Sequence, residues 1–332
     1  MPHIALRATL LAFAFVASAH AANPAAVAQP APIQGVNALP DGQAKVSATL
    51  GIAPGRNGSP TGTRILDVSM TPLGAILPIT RYDVELSKQV HLIAVSDDFR
   101  TFVHEHGDRP SADGHFRVAM PFPHGGIWHV YADGVPSGLG QQVMRFEIDL
   151  GPASPATAAK PGAPQPTGLV GMDGSYAVTF DALDLKSGQE SELTMHLLRD
   201  GRPAPDVTPY LGVAAHAVFI DASTLAYIHA HATPAEKAWP AAAATAGHSH
   251  TAGMAMPGMA MPGMAMPGTG GTAAAGHGAM PAMVMKPLRP GAKLSPDLTL
   301  HVRAPTAGTY LLWIQFSGGG KVRTVPFVLA VK

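Results

Sequence analysis

Three histidines recur in this sequence at a fixed spacing. His91, His104 and His106 are answered by His216, His229 and His231, each 125 positions after its counterpart. A spacing kept over three residues marks a duplicated unit, so the chain is expected to fold as two related modules. Further on, Gly126, Ile127 and Trp128 correspond to Gly308, Thr309 and Tyr310, and Val143 to Val325, at an offset of 182. The second module therefore carries 57 extra residues between His231 and its last strands.

Short apolar or β-branched runs bounded by turn residues fill both modules. They cover 90–96, 127–132 and 143–150 in the first, and 177–180, 217–220, 310–316 and 325–331 in the second. Their length and spacing predict an all-β chain of two tandem β-sandwich domains rather than βαβ units. Gly 36 and Pro 32 suit such a loop-rich protein. The expected order is a signal peptide over 1–21, a flexible Ala/Pro-rich lead over 22–63 and a first sandwich over 64–150. A Pro/Ala linker over 151–168 and a second sandwich over 169–332 follow, with an insertion spanning about 235–290.

His3 and Arg7 precede an apolar run over 8–17, and small residues around Ala19 and Ala21 offer two cleavage points. That run is too short to span a bilayer and reads as an export signal. A periplasmic or secreted protein without an integral membrane segment after cleavage is expected. Cleavage after Ala19 would leave His20 at the amino terminus. Its free amine and imidazole could chelate Cu(II), but the Ala/Pro-rich context argues against a preorganised site. Charged residues balance to a net charge of zero with no basic run, which argues against a nucleic-acid partner. With no cysteine, disulfides and thiolate metal sites are excluded. The usual nucleophile, phosphate-binding and zinc-protease motifs are missing as well, so no enzyme is expected.

The insertion has an unusual composition. His248 and His250 open it, a Gly-Met-Ala-Met-Pro unit repeats three times, and His277 follows. Nine of the 15 methionines lie here: Met254, Met256, Met259, Met261, Met264, Met266, Met280, Met283 and Met285. Thioethers are soft, neutral ligands that suit Cu(I). The Pro-Gly breaks predict a disordered loop with few apolar neighbours for the methionines to pack against. Copper is the expected metal, Cu(I) preferred and Cu(II) possible at the histidines. A repeat serving only as an inert loop is the competing reading.

The repeated histidines carry a geometric expectation. If residues 97–100 form a four-residue hairpin turn, His91 stands opposite His106 and Ile93 opposite His104. The same construction sets His216 opposite His231 and Val218 opposite His229. All three histidines of a module then share one sheet face, a deduction that a one-residue slip would destroy. That face carries Ile93 and Val95 and reads as the inward one, with Glu105 pointing into solvent. A metal site and a buried hydrogen-bonded network both explain the pattern. His115, His124 and His129, nearby in sequence, add weight to the metal reading in the first module.

The stretches 91–106, 122–133, 210–216 and 227–231, with a closing strand pair over 305–328, resemble the immunoglobulin-like modules of bacterial secreted YtkA-like proteins. The resemblance covers most of 64–150 and 170–332. It implies two tandem immunoglobulin-like sandwiches and an association with heavy-metal handling. Together these expectations describe a copper-binding protein of sequestration, resistance or delivery, partnered by a copper exporter or another envelope metal-handling protein. The alternative is an interaction module of the cell envelope whose histidines serve structure alone.

Overall fold

The computed structural model describes residues 31–40, 42, 44–85, 87–152, 164–235 and 287–332. All regular structure among them is strand, and no helix is long and apolar enough to cross a membrane. The described residues between 32 and 332 form one compact unit. Its first half contains β1 (Ile33–Gln34), β2 (Val36–Asn37), β3 (Val46–Pro54), β4 (Thr63–Pro72), β5 (Tyr82–Asp83), β6 (Val90–Ser96), β7 (Phe102–Gly107), β8 (His115–Pro121), β9 (Ile127–Pro136) and β10 (Gln142–Asp149). The second half contains β11 (Val170–Asp173), β12 (Tyr176–Phe180), β13 (Glu190–Arg199), β14 (Arg202–Pro203), β15 (Val207–Thr208), β16 (Ala215–Asp221), β17 (Tyr227–Pro234), β18 (Asp297–Arg303), β19 (Gly308–Gly318) and β20 (Lys321–Val331).

In the first half a four-stranded sheet, β1-β3-β4-β8, faces a second sheet in the order β2-β10-β9-β6-β7, with β5 on β9. The core between them draws Leu50, Leu66 and Val68 from one sheet and Leu92, Trp128 and Phe146 from the other. In the second half one ten-stranded sheet runs β11-β12-β13-β18-β17-β16-β19-β15, with β14 on β13 and β20 on β19. It encloses a separate core that includes Met195, Leu300, Phe219 and Phe327.

The lead is shorter than expected. Residues 46–54 form a full strand whose Val46, Ala48 and Leu50 point into the core, an alternation that Ala and Gly neighbours blur in the sequence. The linker's end is also tied down, since Thr167 exchanges two hydrogen bonds with Val328. At the end of the insertion, Leu288 packs on the second core.

A third apolar cluster lies between the halves. Ile93, Val95, Tyr131 and Val143 of the first half meet Val218, Ile220, Tyr227, Leu311 and Trp313 of the second. Two aromatic stacks cross this seam, Phe102 on Trp313 at 5.0 Å and Tyr131 on Tyr227 at 5.1 Å. They are counterparts under the 125 and 182 offsets, so the halves meet about an approximate two-fold relation. This corrects the expected orientation of the histidine face. Leu92 and Ala94 point into the first half's own core, whereas Ile93 and Val95 point into the seam. Strands β6 and β16 are buried at every position because both of their faces are covered.

Candidate metal centre

The hairpin geometry is as the sequence predicts. Ser96 and Thr101 close a four-residue turn, and Asp221 and Ala226 close its counterpart. His91 pairs with His106 and Ile93 with His104; His216 pairs with His231 and Val218 with His229. An even turn length keeps each set of three on one face, and that face lines the seam.

Each set forms a tight cluster. One ring nitrogen from each of His91, His104 and His106 lies within 4.8 Å of the others, and the same holds for His216, His229 and His231. His91 Nδ1 is 3.1 Å from His104 Nε2, and His216 Nδ1 is 3.0 Å from His229 Nε2. Two nitrogens bound at about 2.0 Å to one tetrahedral ion stand roughly 3.3 Å apart. Either triad could therefore hold a metal ion with little movement.

Each triad is anchored by the opposite half. His104 Nδ1 donates to Gln315 Oε1 at 2.6 Å, while Gln315 Nε2 donates to Thr324 Oγ1. His229 Nδ1 donates to Asp133 Oδ2 at 3.1 Å, and Tyr227 Oη donates to the same oxygen. Asp133 and Gln315 are counterparts at the 182 offset, and they stand opposite His91 and His216 on neighbouring strands. A ligating imidazole whose second nitrogen is held by a carboxylate or carbonyl has its ring orientation and tautomer set in advance.

These donor assignments leave lone pairs without protons. With Nδ1 of His104 donating to Gln315, its Nε2 must accept from His91 Nδ1, and His91 Nε2 is then a buried acceptor with no partner. In the second triad His216 Nε2 lies 3.2 Å from the Tyr210 carbonyl, which can only accept, so the protons on His216 and His229 set whether that bond forms. His106 Nε2 and His231 Nε2 are also buried and unpartnered. An unsatisfied buried polar atom costs about 1–3 kcal/mol. Several unpartnered imidazole nitrogens in one buried place suit a bound cation.

Burial disfavours the charged form of His91, His104, His106, His216 and His231, and the neutral form is the one that binds metal. That burial holds His91, His104 and His216 well below the ordinary imidazole value, and mutual repulsion among the six rings adds to the effect. His106 is pushed down to about 4 and His231 to about 3, both chiefly by burial.

The surroundings of the two triads differ in charge. Glu85 and Tyr210 are counterparts at the 125 offset, each paired three residues on in an isolated β-bridge. Tyr210 sets its ring edge-on to His216 at 5.3 Å. Glu85 lies within the fields of Asp133 and His229; burial and the Asp133 carboxylate push its carboxyl up to about 7. The Asp133 carboxylate thus holds the second triad, where the neutral Gln315 amide holds the first.

None of these four residues stood out in the sequence, although all obey the repeat offsets. His115 instead pairs with Asp67, His124 with Thr101, and His129 with Asp97, all outside the cluster. Glu105 is half-buried, and that burial raises its carboxyl's pKa, contrary to the solvated position expected. His248, His250, His277 and Met254 through Met285 lie outside the described residues.

The second half is similar to a domain family described only as a Domain of unknown function (DUF8832), whose model matches residues 170–258 and 281–332. The match breaks within the methionine repeat. No curated protein matches the chain.

Proposed function

We propose that this is an extracytoplasmic copper-binding protein acting in metal sequestration, resistance or delivery. The observation that carries the reading is the pair of three-histidine clusters with buried ring nitrogens that lack hydrogen-bond partners. Imidazole suits copper, zinc and nickel alike. The nine thioethers between Met254 and Met285 favour copper, since zinc and nickel gain little from them. The apolar run over 8–17 supports export to the periplasm or beyond. In this reading the methionine segment exchanges Cu(I) in shallow sites, and the seam histidines form a stiffer store. The recipient is a copper exporter or another envelope metal-handling protein.

A competitive Cu(I) titration of the mature chain against a chromogenic chelator tests this. Deleting residues 248–285 should remove several equivalents and leave a tightly held fraction. Replacing His104 and His229 by Leu should remove that fraction. If the intact chain withdraws no copper, the seam histidines are a structural network and the proposal fails.

A further inference from the structure

The rings of the two triads are nearly as close across the seam as within a half. His91 lies 5.0 Å from His229 and 5.9 Å from His216, and His104 lies 5.9 Å from His216. Within a triad, His91 to His106 is 5.0 Å and His216 to His229 is 5.2 Å. Metal–imidazole bonds are about 2 Å long, so ions held by the two triads would sit less than about 10 Å apart. No backbone separates them, because all six side chains enter the seam from facing sheets.

The two positions are nonetheless unlike. Asp133 is fully buried, and its carboxylate oxygen holds the His229 ring directly. Its counterpart Gln315 offers His104 a neutral amide oxygen. Buried negative charge near a cation is screened far less than at a surface. The second triad therefore stabilises a doubly charged ion more than the first does.

We propose that the six histidines form one dinuclear metal centre with two unequal positions, the Asp133-backed triad taking a divalent ion first and the Gln315-backed triad taking the second ion. This rests on the copper reading above and adds to it the pairing and the order of filling. An ion bound at either position meets residues of both halves, since each triad is anchored from across the seam.

The test is electron paramagnetic resonance of the full mature chain loaded with one and then two equivalents of Cu(II), with bound copper counted by mass spectrometry. One equivalent should give a single spectrum, unchanged in His106→Ala and replaced by a different one in His231→Ala. Two equivalents should give a spin-coupled pair, seen as a half-field transition or as loss of signal at full copper content. Either variant should abolish the coupling. His106→Gln and His231→Gln serve where an alanine variant unfolds, with Trp313 fluorescence reporting the intact seam. Two isolated spectra filled in equal proportion would overturn the dinuclear, ordered centre while leaving copper binding by the triads intact. A spectrum untouched by any of these variants, or no bound copper, would overturn both readings.

Discussion

Acidification should strip stability from the metal-free protein, and the structure allows the size to be worked out. His106 titrates at about 4 and His231 at about 3 when folded, against 6.5 for an unperturbed imidazole. Their folded values are depressed, so the unfolded chain binds more protons below 6.5. Stability is then flat above that pH and falls as pH drops towards the folded values. At pH 5, about 1.5 pH units under the unfolded value, each ring costs about 2 kcal/mol. His91, His104 and His216 act in the same direction. Glu85 acts in the other: its carboxyl is raised from 4.5 to about 7, so the folded state binds the extra proton between those values. It returns about 2–3 kcal/mol at pH 5. His196, raised by Asp297 and Asp181, also opposes the loss, but it sits at the surface where solvent screens the effect. The balance is a net loss, and Glu85→Gln should deepen it by about 2–3 kcal/mol. Urea unfolding with a chelator present, followed by tryptophan fluorescence at pH 8 and pH 5, measures both quantities. An unfolding free energy equal at the two pH values in the Glu85→Gln protein would refute the neutral, buried placement of His91, His104, His106, His216 and His231.

Other consequences follow from the seam. Asp133→Asn removes the carboxylate behind His229 and should weaken Cu(II) binding at the first-filled position by about 10–100-fold, read by competition with a chelator of known affinity. Gln315→Glu should raise affinity at the other position and blur the order of filling, visible in the one-equivalent spectrum. Trp313 is 2% exposed and stacks on Phe102 across the seam, so Trp313→Ala should cost about 3–5 kcal/mol, measured as a lowered denaturation midpoint. Deleting residues 248–285 should leave that midpoint unchanged, because both described cores are built without them.

Much of the candidate site was legible from local rules. Side chains in a strand alternate with period two, and a four-residue turn has an even count, so placing His91, His104 and His106 on one face needed only the sequence. The repeat offsets then transferred the construction to His216, His229 and His231. They also paired Asp133 with Gln315 and Glu85 with Tyr210, although nothing local marked those residues as special. The all-β class followed from the length and spacing of the apolar runs.

What lay across from the histidine face was a different kind of question. Alternation says that His91, Ile93 and Val95 share a face, but not whether that face meets the module's own second sheet or a foreign surface. In the structure β6 and β16 are buried at every position, which requires both of their faces to be covered. Only tertiary packing decided that the second face belongs to the other half, that Gln315 reaches His104 from 211 positions away, and that Asp133 reaches His229 from 96. Such contacts depend on how two whole sheets dock, and docking is set by the summed fit of Tyr131, Tyr227, Phe102 and Trp313 rather than by any local pattern. The sequence alone therefore determined two three-histidine faces; the packing of one half on the other made them a single site.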